Sequence, residues 1–176
     1  SEMAGILAME NLQGGWGTWL GYEGDVLTTA SVLRSLWEVG CADAQLYNRT
    51  MAFLRKRQAS DGSFSMLPDE AGQVYLTAYL VLALKSIDQM IPTTSITEPA
   101  IKWLMDQKNA DGTWSRGVLD TSMAFLAVAD RLSGTDVDKI EEYLENNQSP
   151  DGAWERDDLT TAVALLALNQ IKANIT

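Results

Sequence analysis

The sequence predicts an all-α chain of helical-hairpin repeats, about four of them, forming a partial α/α toroid. Three observations lead to this. A short block ending in Asp-Gly-x-aromatic recurs along the chain. A second block, with Thr at its fourth place, follows each copy. The first block is amphipathic and the second almost wholly apolar, so the two kinds of helix belong in different layers.

The outer blocks come in the order Gly5–Trp16 "GILAMENLQGGW", a loose copy, then Phe53–Phe64 "FLRKRQASDGSF", Trp103–Trp114 "WLMDQKNADGTW" and Tyr143–Trp154 "YLENNQSPDGAW". In the last copy Val137, Ile140, Tyr143 and Leu144 form one apolar stripe at helical spacing, as Ile101, Leu104 and Met105 do in the copy before it. Asp136 is placed to cap the last outer helix after the turn Ser133-Gly134. The Asp-Gly pairs are expected to end these helices, because Gly accepts the left-handed conformation of a C-terminal turn.

The inner blocks are Val26–Leu36 "VLTTASVLRSL", Val74–Leu84 "VYLTAYLVLAL", Val118–Val128 "VLDTSMAFLAV" and Asp158–Leu168 "DLTTAVALLAL". Their fourth places hold Thr29, Thr77, Thr121 and Thr161. Between Tyr75 and Leu84 the non-aromatic residues are all apolar except Thr77. Such a helix is expected to be buried on every side, and its Ala and Leu content favours helix over strand. Inner helices side by side within a ring of outer helices make the toroid.

Composition narrows the chemistry. The 176 residues are 46% hydrophobic and 21% charged, an ordinary globular balance read as a single repeat domain over residues 1–176, whole or part of a larger protein. No apolar run approaches the roughly 20 residues that span a bilayer, and "SEMAGILAMENLQ" lacks the basic and apolar regions of a signal peptide. A net charge of −11 argues against a nucleic-acid partner, and Arg55-Lys56-Arg57 reads as a solvated helix face. The absence of histidine and the single cysteine exclude Ser-His-Asp and Cys-His catalysis and zinc sites built on His or several Cys. Cys41 reads as a small apolar residue. No EF-hand pattern appears, and neither a cofactor nor a metal site is expected.

These segments resemble the QW repeats of squalene and other terpenoid cyclases, and the related repeats of protein prenyltransferase β subunits. Gln58 and Gln148 stand at the Gln place of those repeats, Lys108 replaces it with Gln107 just before, and Glu10 stands there in the first copy. The resemblance covers nearly the whole chain. "DGSFSMLPDEAGQVYLTAYLVLALKS" followed by "IKWLMDQKNADGTW" is also similar to the thioester-containing domain of complement and α2-macroglobulin proteins, which shares the toroid.

Each resemblance implies a chemistry from which this sequence departs. Class II terpene cyclases protonate an alkene with an Asp-x-Asp-Asp acid just before Thr-Ala. Here the matching places read Asp25-Val26-Leu27-Thr28, and the other copies also lack the cluster. "DVDKIEE" at Asp136 lies in the wrong half of the repeat and reads as a helix start. The prenyltransferase zinc site needs Asp, Cys and His. The thioester needs Cys-Gly-Glu-Gln, whereas Cys41-Ala42-Asp43-Ala44-Gln45 breaks that spacing. No catalytic residue is therefore assigned.

The joints differ in length. Twelve residues separate Trp16 from Thr29 and Phe64 from Thr77, but six separate Trp114 from Thr121 and Trp154 from Thr161. The two long loops are expected to lie together at one end of the bundle and to present Trp19, Tyr22, Glu23, Asp25, Asp69, Glu70 and Tyr75. Asp120, Asp157 and Asp158 stand at the equivalent places of the short joints. These residues either form a ligand surface for a glycan, a peptide or a basic partner, or fold onto the core with their acids solvated.

Two functions from different classes follow. The first is a non-catalytic binding or interaction module, similar to part of a thioester-type macroglobulin domain without its thioester. The alternative is a cyclase- or prenyltransferase-like repeat protein that binds or processes a polyisoprenoid, with its acid or zinc ligands outside this chain. Acidic loops favour the first and an apolar cavity the second. A polysaccharide-active enzyme on a related toroid ranks last, for want of a carboxylate pair. The expected partner is a protein or an apolar small molecule. Fewer hairpins than a full toroid leave apolar edges, to be met by self-association, neighbouring domains or tight curling.

Overall fold

The computed structural model describes residues 5, 8–10, 14–18, 23–67, 69–115 and 117–173. Among them are seven α-helices and no strand: α1 (Val26–Glu38), α2 (Ala44–Arg57), α3 (Val74–Ile87), α4 (Thr94–Asp106), α5 (Val118–Val128), α6 (Gly134–Asn146) and α7 (Asp158–Ala173), with a 3₁₀ turn (Ala129–Arg131) after α5. Helices α1, α3, α5 and α7 are the apolar inner set and α2, α4 and α6 the amphipathic outer set, as the repeat requires. Contacts gather the chain into two compact units, Ser1–Trp103 and Leu104–Thr176. In the first unit α1 packs along α3 and against α2. In the second, α5 packs along α7, and α6 packs against both.

One clasp joins the aromatic of every joint to the following inner helix. The backbone N–H groups of Trp16, Phe64, Trp114 and Trp154 donate to the hydroxyls of Thr29, Thr77, Thr121 and Thr161, each at 3.0 Å. Each hydroxyl donates back to the carbonyl of the same aromatic at 3.2–3.4 Å. The residue before each inner helix adds a third bond to that carbonyl: Asp25, Gln73, Gly117 and Asp157 donate their N–H groups to it. Long and short joints thus close on the same three bonds. All four aromatics are buried, so a missing hydroxyl would strand main-chain polar groups away from water. Trp114 and Trp154 also donate their indole N–H groups to Leu104 O and Leu144 O at 2.7 Å, wedging each hairpin at its base.

The Gln place ties each of the first three joints to the next outer helix. Gln58 donates to Gly62 O within its own turn and to Ile96 O on α4, both at 2.9 Å. In the other copies different chemistry makes the same tie: Glu10 pairs with Arg49 on α2 at 2.8 Å, and Lys108 with Asp136 on α6 at 2.5 Å. Gln148 makes the turn bond, to Gly152 O at 2.9 Å.

The structure corrects three local expectations. The Asp-Gly glycines do not end the outer helices: α2 stops at Arg57 and Gln58 is its C-cap, whereas Gly62 lies in a separate turn. Gly62 does adopt a left-handed φ of +94°, and a Cβ there would lie 2.4 Å from Pro99 O on α4, so only glycine fits. The cap of α6 is Ser133, not Asp136. Ser133 accepts from Asp136 N, and Asp136 returns the bond as the third residue of a capping box. Finally, the inner helices are not buried on every side. Tyr75, Tyr79, Leu82 and Ser86 form a half-exposed stripe along α3. Cys41 is free and buried, as expected of a small apolar residue.

Two outcomes follow. Thr121→Val keeps the shape of the side chain but orphans the Trp114 N–H, and should lower stability by about 1–3 kcal/mol in urea unfolding, whereas Thr121→Ser should retain most of it. The hydrogen bonds from Lys108 and then Ser133 hold the Asp136 carboxyl at about 2, below its ordinary 3.8. A depressed carboxylate stabilises the fold above its unfolded value and loses that contribution as pH falls. The stability gap between wild type and Asp136→Asn should therefore be full above pH 3.8 and close as pH approaches about 2.

Candidate functional site

The inner helices share one register, counted from the first residue of each apolar block. Second places hold Leu27, Tyr75, Leu119 and Leu159; ninth places hold Arg34, Leu82, Leu126 and Leu166. None of these eight is buried, although each helix is otherwise largely core. In the first unit the stripe is aromatic. Tyr75 and Tyr79 stack with centroids 6.1 Å apart, and the Tyr79 hydroxyl shares a 3.1 Å hydrogen bond with Ser31, the sixth residue of α1 as Tyr79 is of α3. Burial, and secondarily the neighbouring Tyr79, raises the Tyr75 hydroxyl above its ordinary value. In the second unit Leu119 and Leu126 on α5, and Leu159 and Leu166 on α7, continue the same positions. Within the first unit the α3 stripe is apolar apart from its hydroxyls, while Arg34, at the ninth place of α1, is charged and pairs with Glu38 at 2.9 Å.

The loop residues behave differently. Trp19 and Tyr22 lie outside the described residues. Glu23 is exposed and 3.7 Å from Arg57, whose guanidinium also donates to Gly24 O at 2.8 Å and lies 5.3 Å from the centre of the Phe53 ring. Arg57 therefore pins the first long loop, with its side chain only 18% exposed, rather than lying on a solvated face. Asp25 is the N-cap of α1: its carboxylate accepts from Thr28 N at 2.7 Å and from the Thr18 hydroxyl at 3.3 Å. Asp157 caps α7 in the same way, accepting from Thr160 N and Oγ1, both at 3.0 Å. Asp120 and Asp158 sit in the first turns of α5 and α7, where the helix dipole favours acids.

Asp69 and Glu70 are exposed on the second long loop, Asp69 with a left-handed φ of 64°. That loop returns through Gly72, where a Cβ would meet Ser63 at 2.3 Å. Among the described residues no group of three or more His, Cys, Asp or Glu is placed to hold a metal ion, and no helix is long and apolar enough to cross a membrane. Of the residues singled out from sequence, Tyr75 alone lies on the apolar stripe. Tyr79, Ser31, Leu82, Leu119 and Leu126 were not singled out. The available signal was the recurrence of partly polar residues at the sixth and thirteenth places of an otherwise apolar block, at Ser31, Tyr79 and Ser86.

The family described as the squalene-hopene cyclase C-terminal domain matches residues 22–122. No curated protein matches the chain. Among solved structures, the type II terpene cyclase MstE from Scytonema is similar at 16% identity and a TM-score of 0.73, over 96% of this chain and 54% of that one. A variant of the same cyclase, in complex with its substrate geranylgeranyl dihydroxybenzoate, is similar at 14% identity and a TM-score of 0.73, over 96% and 56%. The ent-copalyl diphosphate synthase from Streptomyces platensis follows at 18% and 0.65, over 97% and 39%. At these identities the likeness is one of fold, the α/α toroid, and the chain spans about half the length of the MstE structures or less of the diphosphate synthase.

The capping geometry at Asp25 gives a direct test. Asp25→Ala should cost about 1 kcal/mol in urea unfolding, and Asp25→Ser, which also caps, should recover most of it. Equal losses for both would deny the cap.

Proposed function

Because the chain belongs to the family of the squalene-hopene cyclase C-terminal domain, we propose that it is a terpene-cyclase-like segment whose inner-helix stripe binds a polyisoprenoid. The observation that carries this is the partly exposed stripe Tyr75–Tyr79–Leu82 on α3, set in a helix that is otherwise largely packed. An apolar surface that stays open within a core costs stability unless a ligand covers it, and a prenyl chain matches it in chemistry. The π faces of the two tyrosines also suit positive charge developing on a protonated polyene. The acid for such a protonation is not assigned to this chain. Asp25, at the first place of the cyclase acid motif, is engaged with backbone and hydroxyl donors, and Leu27 and Thr28 stand where two more carboxylates would be needed. Cyclisation therefore calls for residues beyond these 176.

The relatives support this branch over the interaction module similar to a macroglobulin thioester domain, which has no counterpart among those described above. The zinc chemistry of the prenyltransferases likewise gains nothing from a chain without histidine.

The test is a titration with a geranylgeranyl lipid, read by tryptophan fluorescence and thermal shift. Saturable binding with a raised Tm is expected. Leu82→Asp and Tyr79→Asp, at half-exposed positions, should weaken it about tenfold or more while far-UV circular dichroism is unchanged. Failure of farnesyl and geranylgeranyl lipids alike to bind or stabilise the protein would overturn the reading.

A further inference from the structure

The hydroxyls at the sixth places of α1 and α3 form a directed pair. A serine hydroxyl carries one proton and two lone pairs. Ser31 Oγ lies 2.9 Å from Leu27 O, one turn back on α1, and a carbonyl can only accept, so the Ser31 proton goes to Leu27. The 3.1 Å bond between Ser31 and Tyr79 is then donated by the Tyr79 hydroxyl. The order is Tyr79 O–H to Ser31 Oγ to Leu27 O, with both protons committed.

The Tyr79 oxygen therefore keeps its lone pairs but has no proton left to give, and donating to Ser31 makes it a stronger acceptor. Among the described residues no donor reaches it. The ring is held as well, stacked on Tyr75 with centroids 6.1 Å apart and planes inclined by 23°. Tyr79 and Ser31 are both partly exposed. The repeat itself does not call for this pair. The sixth places of α5 and α7 hold Met123 and Val163, both apolar and buried, so an inner helix packs well without a hydroxyl there.

We propose, on the isoprenoid reading of the stripe given above, that the Tyr79 oxygen accepts a hydrogen bond from the ligand, so that the stripe selects terpenoid alcohols or phenols over ethers and hydrocarbons of the same chain. A ligand that covers this oxygen without offering a donor shields it from water and leaves it unpaired. A site built around a ligand hydroxyl discriminates against the analogue that lacks one for this reason.

Geranylgeraniol and its methyl ether, each titrated against the protein and read by tryptophan fluorescence, test this. Wild type should bind the alcohol about three- to tenfold more tightly than the ether. Tyr79→Phe keeps the ring and removes the acceptor, so the alcohol should weaken to the affinity of the ether while the ether changes little. Ser31→Ala removes the group that takes the Tyr79 proton and frees that proton for the ether oxygen, so the ether should gain and the gap should narrow from the other side. Far-UV circular dichroism should be that of wild type for both variants. Equal affinities in wild type, a preference that survives in Tyr79→Phe, or an ether affinity unmoved by Ser31→Ala would overturn this inference and leave the isoprenoid reading standing. Failure of both lipids to bind wild type would overturn that reading and this inference with it.

Discussion

A threonine hydroxyl that both accepts from and donates to one buried aromatic residue's backbone is the interaction on which this fold depends. A joint between an outer and an inner helix must run through the core, where an unpaired N–H or C=O is costly. Thr29, Thr77, Thr121 and Thr161 resolve this locally. Because the hydroxyl comes from the first turn of the inner helix, satisfying the joint also sets where that helix begins. The aromatic side chain then sits at a defined height between the two helices. Twelve intervening residues or six make no difference, since the clasp fixes the ends of the joint and leaves the loop between them free to vary.

A second constraint connects one hairpin to the next. The residue at the Gln place reaches the following outer helix from each of the first three joints, as Glu10 to Arg49, Gln58 to Ile96 O and Lys108 to Asp136. The chemistry differs but the distance spanned is that of one hydrogen-bonded contact, so the stacking geometry is preserved while the residue type drifts. Gly62 allows the same close approach by presenting no side chain to the α4 backbone. Within each unit these two sets of ties set the register of the inner helices, and in the first unit the sixth places of α1 and α3, Ser31 and Tyr79, come within hydrogen-bond distance.

The carboxylates that attract attention in the sequence are largely occupied by this scaffold. Asp25 and Asp157 cap inner helices, and Asp136 serves both a capping box and an ion pair. Function, on the reading advanced above, has moved to the residues that look least functional, the leucines and tyrosines that a repeat leaves half exposed. The same residue types serve as core on one side of a helix and as ligand surface on another, and only burial separates them.

That division explains what could be read without coordinates. The sequence by itself determined the all-helical class, the alternation of outer and inner helices, the four joints and the recurrence of threonine at the fourth place. Those features rest on local periodicity and on residue types with few conformational options. Tertiary structure alone decided that Gly62 sits beyond its helix rather than ending it, that Ser133 and not Asp136 caps α6, and that α3 keeps Tyr75, Tyr79 and Leu82 partly open. In a helix as apolar as α3 only a few partly polar places, Tyr79 and Ser86, mark the open stripe, and so sparse a signal does not fix which face is packed. That depends on where the neighbouring helices lie, and their placement is set by hydrogen bonds between residues 28 to 39 positions apart.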